Sequence, residues 1–510
     1  MKKAFLFIVF SIITHQLWAQ QNIFNIVAFG AKADGKTSNT EAIQHAIDKA
    51  AENGGGQVLV PAGSFVTGVI IIKSGVDLHL AANAVLLATT KRIDYGPEKA
   101  SALIVAEGQH NISLTGTGTI DGQGELLLKD IYVMLRNGKL KDSEWQKYNE
   151  WGQMRPEENN RPKLIVFKNC QNVTIKNITI KNGLCWIQDY RSCTDMVIDN
   201  IKVLSNTFLN NDGIDLVDCK NVKLTNSSFN VADDGICLKS YDSKGFCENI
   251  YIANCKIRSS ASAFKLGTAS HGGFKKITVR NIYVYDTFRS AIAIETVDGA
   301  VLEDIDIRGV TAKNTGNAIF IRLGKRLPNV LPGRLARVYI GDVKVQVPAG
   351  KPDSGYSMEG PKELFAHNVF PSSISGIPGY PVQDITLENI AITYASVAKK
   401  TRAFFNADSL EKIPEKISDY PEFSMFGELP AWGFYVRHAN GIKMKNIKLS
   451  YTGADFRPAC IFDDVDTLTL NHVQITDAAS KPIIILNKVK KQSLHNLLLP
   501  DKYKGALRIK

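Results

Sequence analysis

The sequence predicts an all-β chain that coils as a solenoid, and two observations indicate this fold class. A pattern of the form Asn-Val/Ile-x-Ile-x-Asn-Ile-x-Ile sets in near residue 109 and returns with the period of about 20–30 residues that is typical of repeat architectures. No helical periodicity separates these copies, which argues against alternating strands and helices. An irregular β-sandwich with accidental spacing is the alternative. The copies include residues 172–180, 195–203, 221–229, 249–257 and 276–284.

One polar position recurs inside the repeat. Amides stacked at a fixed turn can hydrogen-bond along a ladder of strands, so we expect one asparagine ladder along the solenoid. Its members are Asn177, Asn200, Asn226, Asn254 and Asn281, then Asp304, and in later copies Asp342, Asn389, Asn446 and Asn471.

Residues 1–20 are predicted to be a cleaved secretory signal. Lys2 and Lys3 precede an apolar run, and the small residue Ala19 stands at the expected cut. The run is too short to span a bilayer, and Gln20, rather than a cysteine, follows the cut. We therefore expect a periplasmic or extracellular protein without a membrane anchor.

A helix from near Asn39 to Glu52 is predicted to close one end of the solenoid. Its apolar residues recur with helical periodicity, and the glycines at 54–56 end it. Solenoids need such terminal caps for solubility. Strand-like segments follow at 57–60, 69–72, 76–80 and 84–87. The apolar stripe of the helix comprises Ala42, Ile43, Ala46, Ile47 and Ala50.

Residues 21–510 are expected to form one domain with three loop insertions, near 123–163, 346–381 and 393–440. Insertions in a solenoid often lie on its binding face. Their aromatic side chains have two interpretations, because they can stack on sugar rings or pack the loops onto the barrel. These aromatics are Trp145, Tyr148, Trp151, Phe404, Phe405, Trp432 and Tyr435.

Composition adds limits on partners and cofactors. The net charge of +11 suits an acidic polymer, although a basic protein needs no charge-based partner. The sequence has no zinc spacing, no phosphate-binding glycine loop and no nucleic-acid motif, so we expect no metal, no cofactor and no nucleic acid. Four of the eight cysteines share one slot of the repeat, which favours a buried stack of thiols, although the coil spacing also permits a bridge. They are Cys170, Cys193, Cys219 and Cys247.

Two segments carry the candidate chemistry. Asp212-Gly213-Ile214-Asp215-Leu216 aligns without gaps with Asp234-Gly235-Ile236-Cys237-Leu238. On neighbouring coils, about 4.8 Å apart, Asp212 and Asp234 would lie side by side, with Asp233 next to them. Crowded carboxylates repel, which raises the pKa of at least one. One protonated and one ionised carboxyl can cleave a glycosidic bond. The alternative is a pair of Asp-Gly turns that arose by chance.

Side-chain alternation predicts which residues of this face point inward. Asp212 and Asp234 share the interior parity, so we expect Gly213 and Gly235 to allow a kink that turns both carboxyls outward. The predicted interior pairs are Ile214/Leu216, Ile236/Leu238, Phe264/Leu266, Ile292/Ile294 and Ile319/Ile321. The predicted outer residues are Asp215, Cys237, Lys239, Lys265, Ala293 and Glu295.

These motifs resemble the polygalacturonase family, glycoside hydrolase family 28. The signature Asn-x-Asp-Gly-x-Asp matches at Asn210, Asp212, Gly213 and Asp215, and the Asp-Asp pair matches at 233–234, with Ala232 where the family has glycine. The resemblance implies a right-handed parallel β-helix and inverting hydrolysis without a metal. It also implies that Asp233 is the acid, that Asp212 and Asp234 are the bases, and that Asn210 and Asp215 contribute to substrate binding.

Two family motifs are absent. Gly-His-Gly is replaced by Ala-Ser-Ala at 261–263, and Arg-Ile-Lys by Ala-Ile-Glu at 293–295. Glu295 in place of a lysine argues against plain polygalacturonate and favours a neutral neighbouring sugar, such as rhamnose. Lys265 is the best replacement for the missing cations, because it should stack one coil above Cys237. The candidate replacements are Lys239, Lys265, His271, Arg289 and Arg322.

We therefore predict a secreted, monomeric, inverting hydrolase of galacturonate-containing pectic polysaccharide, either a polygalacturonase or a rhamnogalacturonan hydrolase. Closure of one side of the groove by the insertions would favour cutting at chain ends. A polysaccharide lyase, which needs a cation such as calcium and a basic side chain, is one alternative. A non-catalytic β-helix that binds glycan is the other, although three crowded carboxylates without a use would cost stability.

Overall fold

The computed structural model describes residues 22–147, 155–362, 370–396, 407–476, 478, 482–500 and 507–509. The predicted signal sequence lies outside these described residues. So do four of the insertion aromatics, Tyr148, Trp151, Phe404 and Phe405.

The described chain forms a parallel β-helix, as predicted, in which every pairing between named strands is parallel. Each coil contributes short strands that stack on the corresponding strands of the coils before and after it. The first part of the solenoid consists of β1 (Ile23–Asn25), β2 (Asp34–Ser38), β3 (Gly56–Val60), β4 (Gly63–Thr67), β5 (Ile70–Ile71), β6 (Val76–Leu80), β7 (Ala84–Ala88), β8 (Ile104–Glu107), β9 (His110–Gly116), β10 (Thr119–Asp121), β11 (Ile165–Lys168), β12 (Gln171–Lys176), β13 (Thr179–Lys181), β14 (Gln188–Arg191), β15 (Thr194–Asp199) and β16 (Lys202–Ser205).

In the second part several strands run through a turn without interruption and become longer. They are β17 (Ile214–Val217), β18 (Lys220–Thr225), β19 (Ser228–Val231), β20 (Ile236–Ser240), β21 (Phe246–Ser259), β22 (Phe264–Ser270), β23 (Gly273–Thr296), β24 (Val301–Leu323), β25 (Arg334–Val347), β26 (Ser372–Ser375), β27 (Val382–Ser396), β28 (Phe434–Gly453), β29 (Cys460–Ile475), β30 (Ile484–Leu498) and β31 (Leu507–Ile509).

The interior consists of columns of stacked apolar side chains, and the predicted parity is confirmed. Ile214 pairs with Ile236, and the same column continues through Phe264, Ile292 and Ile319. All of these side chains are buried in one continuous core. Burial of a large aliphatic or aromatic side chain contributes roughly 1.5–3 kcal/mol, so the repeated column stabilises the whole stack.

The predicted cap is helix α1, Thr40–Glu52, which begins one residue after the expected start and ends where expected. Ile43, Ala46, Ile47 and Ala50 face the core and are fully buried. The helix contacts β1, β3, β4, β5 and β6. It therefore covers the apolar end of the first coils.

A second helix, α2 (Gly124–Arg136), lies in the first insertion, so the expectation of a loop there was wrong for its first part. Leu127, Ile131 and Leu135 recur at intervals of one helical turn and are buried. Leu126 and Val133, on the other side, are half exposed. The segment was expected to be a loop because it interrupts the period of the solenoid, although its own apolar spacing is that of a helix.

The asparagine ladder forms in part as predicted, with a break after Asn200, where the Asn226 amide donates to Asp199 Oδ1 at 2.8 Å instead. The Asn200 amide donates to Asn177 Oδ1 at 3.0 Å, and the Asn254 amide donates to Asn226 Oδ1 at 3.2 Å. Each of these asparagines has a left-handed backbone, with φ between 54° and 65°. Asparagine adopts this conformation more readily than most residues, which accounts for its recurrence at the turn.

Two members were misplaced, Asp304 on another turn of the coil and Asn471 by one residue. The register places Lys275 beside Glu303 and Ile277 beside Ile305, so Asp304 follows Lys276 instead of Asn281. Asn471 pairs with Lys445, which leaves its neighbour His472 above Asn446. Asp304 was misplaced because a second turn of the coil also carries asparagine before a Val/Ile segment. There Asn249 donates to Asn221 Oδ1 at 2.8 Å.

All eight cysteines are free and buried, including the predicted stack. The Cys193 thiol donates to the Phe167 carbonyl at 3.4 Å, and the Cys219 thiol donates to the Tyr190 carbonyl at 3.2 Å. Burial raises the pKa of Cys247 to about 12. These thiols are therefore unreactive packing residues.

Of the insertion aromatics named from the sequence, those that are described pack onto the protein. Trp432 and Tyr435 are fully buried, and Trp145 is partly buried against the main core. These three side chains therefore hold the insertions against the barrel and do not offer rings to a sugar. Within the described part of the chain, neither helix is both long enough and apolar enough to cross a bilayer.

The two adjacent leucines of α2 give a matched test of this helix. Leu127→Ala removes a side chain that is 2 % exposed, whereas Leu126→Ala removes one that is 50 % exposed. We expect Leu127→Ala to lower the free energy of unfolding by about 2–5 kcal/mol, because it leaves a cavity. Leu126→Ala should change it by less than about 0.5 kcal/mol. Urea denaturation, with proteolysis of the α2 segment as a local readout, measures both, and equal effects would contradict the assigned face.

Candidate active site

The two Asp-Gly pairs stand immediately before strands of the same sheet. β17 begins at Ile214 and β20 at Ile236, so Asp212 and Asp234 precede the regular strands. A Cβ atom at Gly213 would lie 2.5 Å from the Gly235 carbonyl oxygen, and one at Gly235 would lie 2.6 Å from that of Ala263. Only glycine fits at either position. The coils therefore approach closely where the two carboxyl groups turn outward.

The carboxyl groups come together as predicted. One oxygen of Asp212, one of Asp234 and the sulfur of Cys237 all lie within 4.8 Å of one another. Asp212 and Asp234 are each 4 % exposed, whereas Asp233 is half-buried and reaches the surface. The Asp234 amide donates to the Asp233 carboxyl at 2.9 Å. Two buried carboxyls thus lie behind one that is accessible.

Lysine side chains lie between these carboxyls. Lys239 Nζ contacts Asp212 Oδ2 at 3.0 Å and also donates to the Asp215 carboxyl. Lys265 Nζ lies 3.0 Å from Asp234 Oδ2 and 3.9 Å from Glu295 Oε2. Both lysines are buried. Each ammonium group therefore stabilises the ionised form of carboxyls that burial alone would destabilise.

These lysines also decide whether the carboxyl cluster can hold a metal ion. Asp212, Asp234 and Cys237 bring three ligand atoms together. However, Lys239 Nζ lies 3.1 Å from the sulfur of Cys237 and 3.0 Å from Asp212. An ammonium group in that position repels a divalent cation. The donor set therefore fits an ammonium–carboxylate network and not a metal centre.

The three carboxyls differ in their affinity for a proton. Burial and the charges of Asp212 and Asp234 raise the pKa of Asp233 to about 7. Burial also raises the pKa of Asp212, with a further contribution from Asp234 that Lys239 partly offsets. Burial acts against ionisation of Asp234 as well, but Lys265, Lys239 and Arg289 outweigh it and lower its pKa. Near neutral pH the cluster can thus combine a protonated Asp233 with an ionised Asp234.

A comparison with known families decides the classification. The sequence model of the family described as Glycosyl hydrolases family 28 matches residues 52–346, which is more than half of the chain. The chain belongs to this family. It is therefore a hydrolase by class, and the resemblance inferred from the Asp-Gly motifs is confirmed.

Family 28 relatives align over most of the chain. The "Probable polygalacturonase" of Vitis vinifera is 26 % identical over 74 % of this chain and 75 % of its own length. The "Exo-poly-alpha-D-galacturonosidase" of Dickeya chrysanthemi is 25 % identical over 74 % of this chain and 73 % of its own. The structure of a hyperthermoactive exopolygalacturonase from Thermotoga maritima superposes with a TM-score of 0.57, at 22 % identity, and covers 73 % of this chain and 87 % of that one. That likeness shows a shared fold.

A cavity of about 300 Å³ opens in front of Asp233, and we call it the site pocket. All three insertions contribute to it, with Arg155 from the first, Met358 and Glu359 from the second, and Tyr420 and Glu422 from the third. The insertions therefore converge on the family 28 carboxyl cluster. The remaining lining residues are Leu209, Asn210, Ala232, Asp233, Ser260, Ala261 and Arg289.

Two of the predicted binding residues face the site pocket. The Asn210 side chain lines it and accepts a hydrogen bond from Arg161 at 2.9 Å. Arg289 lines it with a guanidinium group that pairs with Glu422 at 3.1 Å. Asp215 is fully buried against Lys239. Asp215, Lys239 and Lys265 thus lie behind the carboxyls rather than in the cavity.

The structure does not bring the other two predicted cations into the cluster. Arg322 is fully buried, and its guanidinium group donates to the carbonyls of Gly376, Glu415 and Lys416 at 2.8–3.0 Å. It ties the third insertion to the barrel. His271 follows the end of β22, and its backbone N–H donates to the Ser240 carbonyl. Neither residue lines the site pocket.

A second cavity of about 400 Å³ lies on the preceding coils. Asp189 of β14 pairs in register with Asp215 of β17, so this cavity continues the same outer face. Arg161 lines it and also donates to Asn210 in the site pocket. Its basic lining residues are Lys99, Arg161, Lys163, Lys168 and Arg191, opposed by Glu107, Glu158 and Asp189.

Sequence reasoning missed several residues that complete the site. Trp186 lies one coil below Asp212, because the amide of the next residue, Ile187, donates to the Asp212 carbonyl at 3.0 Å. Lys239 Nζ lies 4.4 Å from the centre of the Trp186 ring, a cation–π contact. Register alone could have indicated this position. Tyr420 and Glu422 gave no comparable signal, because they belong to an insertion without periodicity.

Removing the Lys239 charge should destabilise the protein. Lys239→Met leaves Asp212 and Asp215 buried without their cation, and breaking such a buried pair costs about 3–5 kcal/mol. The exposed pair Lys49–Glu52, whose side chains are 56 % and 67 % exposed, supplies the control. Lys49→Met should cost less than about 1 kcal/mol.

The loss in Lys239→Met should also depend on pH. Without the ammonium group both carboxyls titrate at higher pH in the folded state than in the unfolded chain, so their contribution to stability is lost as pH rises through the folded pKa values. Urea denaturation at pH 5 and pH 8 should therefore give the greater loss at pH 8. A loss that did not change with pH would contradict the assigned pairing.

Proposed function

We propose that this family 28 protein is an inverting glycoside hydrolase that cleaves α-glycosidic bonds of galacturonate-containing pectic polysaccharide. The proposal rests on one observation, which is that two adjacent carboxyls of the cluster have pKa values shifted in opposite directions. Asp233 has a pKa raised to about 7, next to an Asp234 whose pKa is lowered. An inverting hydrolase needs such a pair, one carboxyl as acid and one as base.

In the proposed mechanism Asp233 donates its proton to the glycosidic oxygen of the leaving sugar. The bond from that oxygen to the anomeric carbon breaks while a water attacks from the opposite side. Asp234 and Asp212 hold this water, and one of the two accepts the proton that it releases. Among the described residues, Oδ1 of Asp212 is a buried oxygen without a hydrogen-bond partner, which supports its use as a water acceptor.

Lys239 and Lys265 act as positioning residues in this mechanism. Their ammonium groups hold Asp212 and Asp234 by contacts of 3.0 Å each. They also favour the ionised form of both carboxyls, because an adjacent positive charge stabilises a carboxylate. Asp233 has no comparable contact with a lysine and keeps its proton to higher pH.

Two observations support a uronate-containing substrate. Both relatives named above are called galacturonate-cleaving enzymes. Arg155 and Arg289 line the site pocket, and a surplus of lysine and arginine lines the neighbouring cavity. Guanidinium groups match the geometry of a sugar carboxylate.

Rhamnogalacturonan is a second candidate chain, favoured by the pairing of Lys265. Asp234 and Glu295 both neutralise this lysine, so it offers no free charge to a second carboxylate. A chain in which acidic and neutral sugars alternate needs fewer free cations than polygalacturonate does, which suits a lysine that is already paired.

Convergence of the three insertions on the site pocket supports action at chain ends. A cavity walled by three separate segments holds a few sugars, whereas an open groove accepts the interior of a polymer. We also propose that residues 1–20 are a cleaved leader, that the mature chain acts as a monomeric single domain in the periplasm or outside the cell, and that it uses no cofactor.

Substitution of Asp233 tests the acid. Asp233→Asn cannot donate a proton, so kcat on pectic oligosaccharide should fall by about 10²–10⁴-fold. In the unmodified protein kcat/KM should fall as pH rises above about 7, where Asp233 ionises. The variant should lose that basic limb. The control is Asp195→Asn, at an exposed residue of β15, which should retain activity and pH profile.

A product screen tests the reaction and the substrate. The protein is incubated with polygalacturonate, rhamnogalacturonan and their oligomers, with and without chelator, and the products are analysed by mass, ultraviolet absorbance and NMR of the new anomeric centre. We expect saturated products of inverted configuration that survive the chelator and are released from chain ends. Unsaturated products that are lost with chelator would indicate a lyase. A ladder of mid-length oligomers at early times would contradict end cleavage.

A further inference from the structure

A column of lysines runs along an outer face of the solenoid away from the carboxyl cluster. Strand register places one outward residue of each successive coil in line, from β16 through β29. Lysine recurs in the column at intervals of two or three coils, which corresponds to about 10–15 Å. In order, the column consists of Lys202, Ser228, Lys256, Tyr283, Thr311, Lys344, Ala391, Lys448 and Gln474.

The column contains no acidic residue, unlike a column on the neighbouring sheet. There Lys220, Glu248, Lys275 and Glu303 alternate in sign along successive coils. Lys275 and Glu303 form an ion pair of 3.9 Å. Within the described part of the chain, none of the four lysines in the lysine column forms an ion pair with a carboxylate, and all four are exposed.

Two tyrosines and a fifth lysine widen the lysine column at its centre. Tyr285 lies two residues after Tyr283 on β23, and their rings stack with centroids 6.0 Å apart. Lys256 Nζ lies 4.7 Å from the centre of the Tyr285 ring. Lys313, beside Tyr285 in register, is exposed and also lacks a described carboxylate partner. The centre of the face therefore combines positive charge with aromatic surface.

This face leads toward the carboxyl cluster. Ser228, a member of the lysine column, begins β19, and that strand ends at Val231, two residues before Asp233. The second insertion forms the boundary, because Tyr356 packs over Arg258 at 3.5 Å and Met358 lines the site pocket. A flexible chain bound along the lysine column is thus held close to the site pocket and separated from it by one loop.

We propose that the lysine column, with Tyr283, Tyr285 and Lys313, is a second binding site that holds a polyanionic glycan chain outside the site pocket. The inference rests on the proposed function for the identity of the glycan, a polyuronate. Charge complementarity favours this occupant, because a polyuronate carries carboxylates along its whole length and can place one near each lysine of the column.

Binding at the column would act through local concentration. A polymer held by several lysines displaces its own counterions, so its affinity falls steeply with salt. Its ends remain near the site pocket, and linked binding sites of this kind gain avidity without new contacts. Oligosaccharides too short to reach both places gain nothing from the column.

The test uses Asp233→Asn as a background that binds without cleaving. Its retardation in gels containing polygalacturonate is compared with that of the same chain carrying Lys256→Glu and Lys344→Glu. The matched control carries Lys223→Glu and Lys443→Glu, two exposed lysines on the neighbouring sheet, with the same change in net charge. We expect the column variant to bind polygalacturonate at least fivefold more weakly than the background protein does. The control variant should bind almost as tightly as the background, and the affinities of all three should converge at high salt.

A second measurement separates this proposal from the proposed function. In the active chain, the column substitutions should raise KM on polymer several-fold and leave kcat/KM on short oligosaccharides unchanged. Equal retardation of the column and control variants would overturn the proposal, as would tighter binding of a nucleic acid or polyphosphate than of polyuronate. Column-dependent binding without cleavage of any pectic chain would instead refute the proposed function and leave the binding site standing.

Discussion

The site depends on two buried ammonium groups that separate carboxyls on neighbouring coils. Lys239 lies between Asp212 and Asp215, and Lys265 lies between Asp234 and Glu295. Parallel coils force corresponding residues to within about 5 Å of each other, so these acids could not share one face without intervening cations. The same cations act unequally, because Asp233 lies at the edge of the network. Asp234 and Asp233 therefore differ in pKa because a lysine ammonium group contacts Asp234 and none in the described part of the chain contacts Asp233.

The β-helix makes this arrangement possible by placing one slot of every coil in line. The slot that holds Asp215 continues through Cys237, Lys265, Ala293 and Phe320. Beneath it the interior column stays apolar, from Ile214 through Ile236, Phe264 and Ile292 to Ile319. Chemistry can therefore vary along the outer face while the core remains uniform. Gly213 and Gly235 supply a local exception, where a closer approach of two coils lets the carboxyls leave the interior parity.

The sequence predicted the parts of the protein that follow its periodicity. Helix α1, the interior columns and the outward position of Asp212 and Asp234 follow from residue spacing and agree with the structure. Asp304 was misplaced because two turns of the coil carry the same asparagine pattern. Helix α2 and the contacts of Arg322 could not be derived from the repeat, since both depend on how the insertions fold back onto the barrel. The lysine partners of Asp212 and Asp234 required the register between coils, which spacing alone does not fix when coils differ in length.

The walls of the site pocket and its carboxyls belong to different parts of the chain. Asp212, Asp233 and Asp234 are fixed by two adjacent coils, whereas Tyr420 and Glu422 arrive from an insertion that Arg322 anchors several coils away. A change in the length or sequence of that insertion would reshape the cavity and leave the coils that hold the acids untouched. Substrate range and bond-breaking chemistry can thus evolve along separate routes in this protein, with new specificities arising by exchange of loops on an unaltered solenoid.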